Sequence, residues 1–317
     1  MVDPALLDWL LDTDPALRWQ VERDLAGAPP AVWETTRARV ATEGMGARLL
    51  ARQDPGGTWA GGAYFPADGS AVAGQPWTAT TWSLNALREW GLDPAVLAGT
   101  AEKLESCRWE YDDLPYWGGE VDACINAFTV ANGLWLGRDM DVLAAWFDEH
   151  RLADGGWNCF WVDGAVRSSF HSTLNAVGGL LAHERATGGT PATRGARRAG
   201  EEYLLVRGLL YRLSTGEPVE LERAPDDLAY PLRWRHDVLR ATDHFRRAAE
   251  LDGAAPDPRL ADAIALLRAR RGPDGRWTQG ERDPGEMWFE VDVAPGEPSP
   301  WLTLHATRVL SWWDSAA

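Results

Sequence analysis

The sequence predicts an all-α protein, an α/α toroid of five to six helical hairpins. Three observations carry this: helix starts written as Asp-Pro, a glycine–tryptophan turn that recurs, and apolar residues at helical spacing with almost no strand-like alternation. Asp3-Pro4, Asp14-Pro15, Asp93-Pro94 and Asp257-Pro258 each set an acceptor for the free amides of a first turn before a residue whose backbone angle is already helical. Gly91 and Gly253, just ahead of two of these pairs, suit the end of a preceding helix.

The turn reads Asp54-Pro55-Gly56-Gly57-Thr58-Trp59, then Ala153-Asp154-Gly155-Gly156-Trp157, then Pro273-Asp274-Gly275-Arg276-Trp277. Weaker copies stand at Trp117-Gly118-Gly119 and Ser214-Thr215-Gly216. Their spacing of about 40 to 60 residues is that of helix-pair repeats. After the marks, small-residue-rich helices are predicted over 77–90, 122–136, 169–181, 234–245 and 301–313, an inner ring. More charged segments such as 197–205 fall outside it. No Pro/Gly/Ser linker divides the chain, so it reads as a single domain, 1–317, with 1–45 a helical extension packed on it and 280–298 a loop.

A chain 45% hydrophobic and 25% charged can build a sizeable core. Its net charge of -16 disfavours nucleic acid and anionic membrane, whose binders need summed positive charge. Cys107, Cys124 and Cys159 are an odd number, unsuited to a closed disulfide framework and in keeping with a reducing compartment. The acidic Met-Val-Asp-Pro start is no signal peptide, and no uncharged apolar run is long enough to span a membrane; a cytoplasmic protein is expected. The 19 tryptophans imply either core filling or an aromatic-walled pocket.

The Gly-Gly-x-Trp turns and the helices after them resemble the repeats of squalene-hopene cyclases and protein prenyltransferase beta subunits, over roughly residue 45 to the end. Val121-Asp122-Ala123-Cys124 is similar to the Asp-x-Cys segment that gives prenyltransferases two zinc ligands. Ser169-Phe170-His171-Ser172-Thr173 is similar to the segment that gives the third. The resemblance implies zinc held by Asp122, Cys124 and His171, and this donor set with an open fourth position is that of a catalytic site. The plain alternative is that Cys124 is a small buried hydrophobe and His171 a core histidine. His236, in Trp234-Arg235-His236-Asp237, is a candidate ligand, a general acid/base or a helix-start histidine. Glu120 and Asn126 flank the Asp-x-Cys segment as candidate partners of the ligands or of substrate. His150, His183, His244, His305, Cys107 and Cys159 read as structural.

The chain departs from the family where a diphosphate would sit: residues 110–120 hold no Lys or Arg and four carboxylates. Arg167, Arg233, Arg235 and Arg240 are the candidates for another anion site. Asp112 and Asp113 come nearest to the Asp-x-Asp-Asp acid of the cyclases; the plainer reading is a solvated acidic loop. The expected function is a zinc-dependent enzyme acting on a hydrophobic, isoprenoid-like small molecule by Lewis-acid-assisted cyclisation, isomerisation, elimination or group transfer. The alternatives are a metal-free, acid-initiated terpenoid cyclase using Asp112 or Asp113, and a non-catalytic toroid that binds a lipid or metabolite.

Overall fold

In a computed structural model describing residues 2–70, 72–219, 221 and 223–315, the Asp-Pro pairs do what their chemistry dictates. Asp3 accepts the amides of Ala5 and Leu6 at the start of α1 (Pro4–Leu11), and Asp14 that of Ala16 at the start of α2 (Pro15–Asp24). Asp93 and Asp257 instead cap single 3-10 turns, Pro94–Leu97 and Pro258–Leu260. The remaining helices are α3 (Pro30–Ala38), α4 (Gly44–Leu50), α5 (Thr80–Glu89), α6 (Thr100–Lys103), α7 (Ala123–Trp135), α8 (Asp141–Glu149), α9 (Phe170–Thr187), α10 (Pro191–Leu205), α11 (Val238–Asp252), α12 (Ala261–Ala269) and α13 (Pro300–Asp314). One antiparallel ladder, β1 (Trp277–Thr278) with β2 (Pro298–Ser299), pairs Trp277 with Ser299. The protein is all-α. Among the described residues no helix is long and apolar enough to cross a membrane.

The three strong turns are alike bond for bond. The indole nitrogens of Trp59, Trp157 and Trp277 donate to the carbonyls of Leu49, Phe147 and Leu267, each ten residues back near the end of the preceding helix. Their backbone amides donate to the hydroxyls of Thr80, Thr173 and Thr303 in the next helix, at 3.1, 3.1 and 3.0 Å. Two residues before each tryptophan, Gly57, Gly155 and Gly275 take φ of +88°, +100° and +83°, where an L side chain is strained. The turn thus joins α4 to α5, α8 to α9 and α12 to α13, its indole bonding a carbonyl in the last turn of the preceding helix.

The chain divides into two compact units. The first comprises Met1–Glu120, Asn132–Asp139 and Arg282–Val293; the second comprises Val121–Ala131, Met140–Glu281 and Ala294–Ala317. Both are discontinuous in sequence, so no linker or composition shift marks them. In the first, the N-terminal helices are fastened to the end of α5. Trp19, Gln20 and Arg37 donate to the terminal carbonyls of Trp90, Glu89 and Gly91. In the second, α9 packs against α8, α10 and α11. There the fully buried Arg197 is satisfied by Glu184, Glu201 and Asp252, and Glu201 also pairs with His244. A buried cation so completely bonded is structural.

Helix α11 begins at Val238, four residues later than the periodicity predicts. Asp237 is extended and accepts the Arg240 amide, which makes it the cap and leaves Trp234, Arg235 and His236 in the loop before it.

Candidate functional site

The second unit gathers a polar cluster where the starts of α7, α9 and α11 meet the loop after Trp157. Cys124 lies in the first turn of α7 and is buried. Cys159 is half-buried and opens the 3-10 helix Cys159–Asp163, which Asn158 caps by accepting the Phe160 amide. The two sulfurs are 3.5 Å apart. Ser172 fixes Cys159 twice: its hydroxyl oxygen accepts the Cys159 amide at 3.1 Å, and the hydroxyl donates to Cys159 Sγ at 3.3 Å. Ser172 is itself placed by Ser169, the cap of α9, which accepts the Ser172 amide.

Asn175 secures the other thiol. Its amide nitrogen is 3.3 Å from Cys124 Sγ and 2.8 Å from the carbonyls of both His171 and Trp234, so two protons serve three acceptors. Its oxygen accepts from Arg240, whose guanidinium also donates to the Arg235 carbonyl. Arg240, a candidate for anion binding, is thus engaged in holding the amide and the loop.

The thiols titrate as a pair. The Cys124 S–H hydrogen bond holds Cys159 below the ordinary thiol range, and burial and the Asp122 charge oppose this. Cys124 is pushed well above that range by the same hydrogen bond, by burial, and by the negative charges of Cys159 and Asp122. The two thiols are thus shifted in opposite directions by their shared bond. Asp122, half-buried one residue before α7, therefore makes itself felt at both sulfurs.

His171, half-buried in the first turn of α9, accepts the His236 amide at Nδ1 at 2.7 Å. A neutral imidazole has one basic nitrogen, so this bond leaves the ring proton on Nε2. His236 has the complementary arrangement: Nε2 donates to the Leu209 carbonyl at 2.8 Å, while Nδ1 is buried with no hydrogen-bond partner. Burial pushes its pKa down to about 3, so the ring is neutral.

The structure places Asp122 and Cys124 at the start of α7 and His171 at the start of α9, where Asn175 bonds both Cys124 Sγ and the His171 carbonyl, and His236 is bonded to His171. It does not add Asp112 and Asp113. They occupy successive left-handed positions, φ 55° and 53°, on an exposed loop of the first unit. That loop is held by its neighbour Glu110, whose carboxylate accepts the amides of Ala63, Tyr64 and Phe65. Glu120 is buried at the last residue before the second unit, and Asn126 is fully buried on α7.

Cys159, Ser172 and Asn175 were not legible as site residues. A signal for Cys159 exists in hindsight: it stands two residues after Trp157, whose amide binds Thr173, and that turn draws Cys159 to the start of α9 beside His171. The large tryptophans Trp59, Trp82, Trp157, Trp277 and Trp301 are fully buried, and Trp277 also lines a cleft at the end of α12. Three apolar side chains after Cys159 are exposed, Phe160 at 68%, Val162 at 51% and Val166 at 77%. A cleft of about 430 Å³ at the end of α12, lined by Asp226, Asp227, Arg270 and Gln279, does not include the thiol pair.

The donor chemistry of the cluster suits zinc: two thiols in contact, a carboxylate acting on both, and an imidazole on the adjoining helix. As placed, no group of three His, Cys, Asp or Glu converges closely enough to hold an ion among the described residues.

No protein-family model matches the chain, and no curated protein matches it. Among solved structures it is similar to a protein from Actinoplanes, 16% identical, over 95% of this chain and 90% of that one, with a TM-score of 0.45. A likeness of that size bears on neither site nor function.

Proposed function

We propose that the chain is a metal-dependent enzyme, zinc being the ion its donors suit, acting on a hydrophobic, isoprenoid-like small molecule. The observation that carries the reading is the pair of thiols 3.5 Å apart, on both of which the Asp122 charge acts. Asp122 and Cys124 are the residues that would hold the ion, and His171 is the third by resemblance. Bound there, a divalent ion supplies Lewis acidity toward a substrate oxygen or sulfur.

The chain's own residues supply the rest. Asn175, fixed by Arg240, directs an N–H at Cys124 Sγ, and Ser172 directs its hydroxyl at Cys159 Sγ, so negative charge on either sulfur is met by a donor. Phe160, Val162 and Val166 follow Cys159 directly and offer an apolar approach. The acidic stretch 110–120 supports a reaction other than prenyl transfer from a diphosphate donor. Free thiols at all three cysteines suit work in a reducing compartment.

The pairs α4/α5, α8/α9 and α12/α13, with α6/α7 and α10/α11 between them, are proposed as the five hairpins of an α/α toroid. The identity of the three strong turns supports this.

Elemental analysis tests the function. Wild-type protein incubated with zinc and desalted should retain about one ion per chain, and Cys124→Ala should retain almost none. A wild-type protein that emerges without metal removes the reading.

A further inference from the structure

We propose that Cys159, rather than His171, is the third protein donor of this metal site, so that Asp122, Cys124 and Cys159 hold the ion. The inference rests on the metal reading above and deepens it.

The first argument is distance. Zinc–sulfur bonds are about 2.3 Å, so two thiolates on one tetrahedral ion stand about 3.8 Å apart. The Cys124 and Cys159 sulfurs are 3.5 Å apart, within a few tenths of that edge. In the metal-free chain the gap holds an S–H···S hydrogen bond. An ion bound there would take the place of its proton, and Asp122 would have to turn in to complete the group, since no three donors converge among the described residues.

The second argument is support. Ligating side chains need neighbours that orient them and accept or offer hydrogen bonds to match. Cys159 has its amide and its sulfur both bonded to Ser172, and Cys124 has the Asn175 amide, which Arg240 and two carbonyls hold in place. The Asn175 amide is aimed at Cys124 Sγ and the Ser172 hydroxyl at Cys159 Sγ, which suits thiolates that keep charge while bound.

The third argument is what His171 is doing. A ligating histidine gives a lone pair to the metal and donates its other ring N–H to an acceptor. His171 does the reverse: Nδ1 accepts the His236 amide at 2.7 Å, so the other nitrogen carries the proton. His171 is a positioning residue that ties the loop before α11, and with it the Trp234 carbonyl that Asn175 binds, to the start of α9.

Cobalt(II) in place of zinc tests the assignment, because its near-ultraviolet thiolate charge-transfer band grows with each sulfur bound. The wild-type chain should show a two-thiolate band. Cys159→Ser should show about half of it and hold cobalt at least tenfold more weakly, and His171→Gln should keep the full band. X-ray absorption of the zinc-loaded wild type, which needs no variant to fold, should count two sulfurs at about 2.3 Å. A full band in Cys159→Ser with loss in Cys124→Ala, or a single sulfur in the wild type, overturns Cys159 as a ligand and leaves the metal reading standing. A wild type that takes up no cobalt and no zinc overturns both.

Discussion

His236 shows how much one residue can owe to where it is buried. Its ring is shielded from water, donates to the Leu209 carbonyl, lies against Phe170 with ring centres 5.1 Å apart, and has a pKa pushed down to about 3. Protonation is therefore harder in the folded chain than in the unfolded one. The stability this confers is complete above about pH 6.5 and is lost as pH falls toward 3, by no more than roughly 5 kcal/mol. Asp237 beside it works in the opposite sense: burial raises its carboxyl to about 6, so its contribution weakens as pH rises from about 4 to 6. In urea unfolding across that range, His236→Gln should flatten the acid-side loss, since Gln keeps a donor for Leu209 without the titration. An unchanged pH slope would show that His236 is not the group responsible. The sequence placed His236 at a helix start as a ligand, an acid/base or simply a helix-start histidine. The cap at Asp237 leaves it two residues before the first residue of the helix, a matter of backbone geometry that a histidine next to an aspartate does not announce.

At the scale of elements, the glycine–tryptophan turn is the unit from which the fold is assembled. Its glycines, its tryptophan and the length of the loop were all visible, because each answers to a local need: a left-handed backbone, a buried indole, a capped carbonyl. The threonine that receives the tryptophan amide was not singled out, since 16 residues separate Thr173 from Trp157 and 26 separate Thr303 from Trp277. If the turns are equivalent, Thr173→Val and Thr303→Val should each leave a buried amide unpaired and cost about 1–3 kcal/mol, with similar midpoint shifts in urea. Gly156→Ala should be costly too, because the added carbon would lie 2.4 Å from Thr173 Oγ1. A Thr303→Val variant as stable as the wild type would show that the third turn only looks like the second. Cys159 belongs to the same lesson: its tryptophan neighbours suggested a structural cysteine, and only the closure of the turn onto α9 brings its sulfur to Cys124.

At the scale of the molecule, the all-α class followed from caps and periodicity, whereas the two discontinuous units did not, because neither has a boundary written in composition. The net charge of -16 argues that the chain shuns polyanions, and it should show no retention on immobilised DNA at physiological salt; firm retention would point to a local basic surface that outweighs the total. The central claim is that two thiols and Asp122 form a metal site. Both sulfurs must be deprotonated to bind, so uptake of an ion has to expel protons. Calorimetric titration of the metal-free chain with zinc, repeated in buffers of different ionisation enthalpy, measures ion and protons together. The account predicts one zinc per chain with between one and two protons released near neutral pH, and loss of that release in Cys124→Ala. Heat without proton release, or no saturable heat at all, would contradict it.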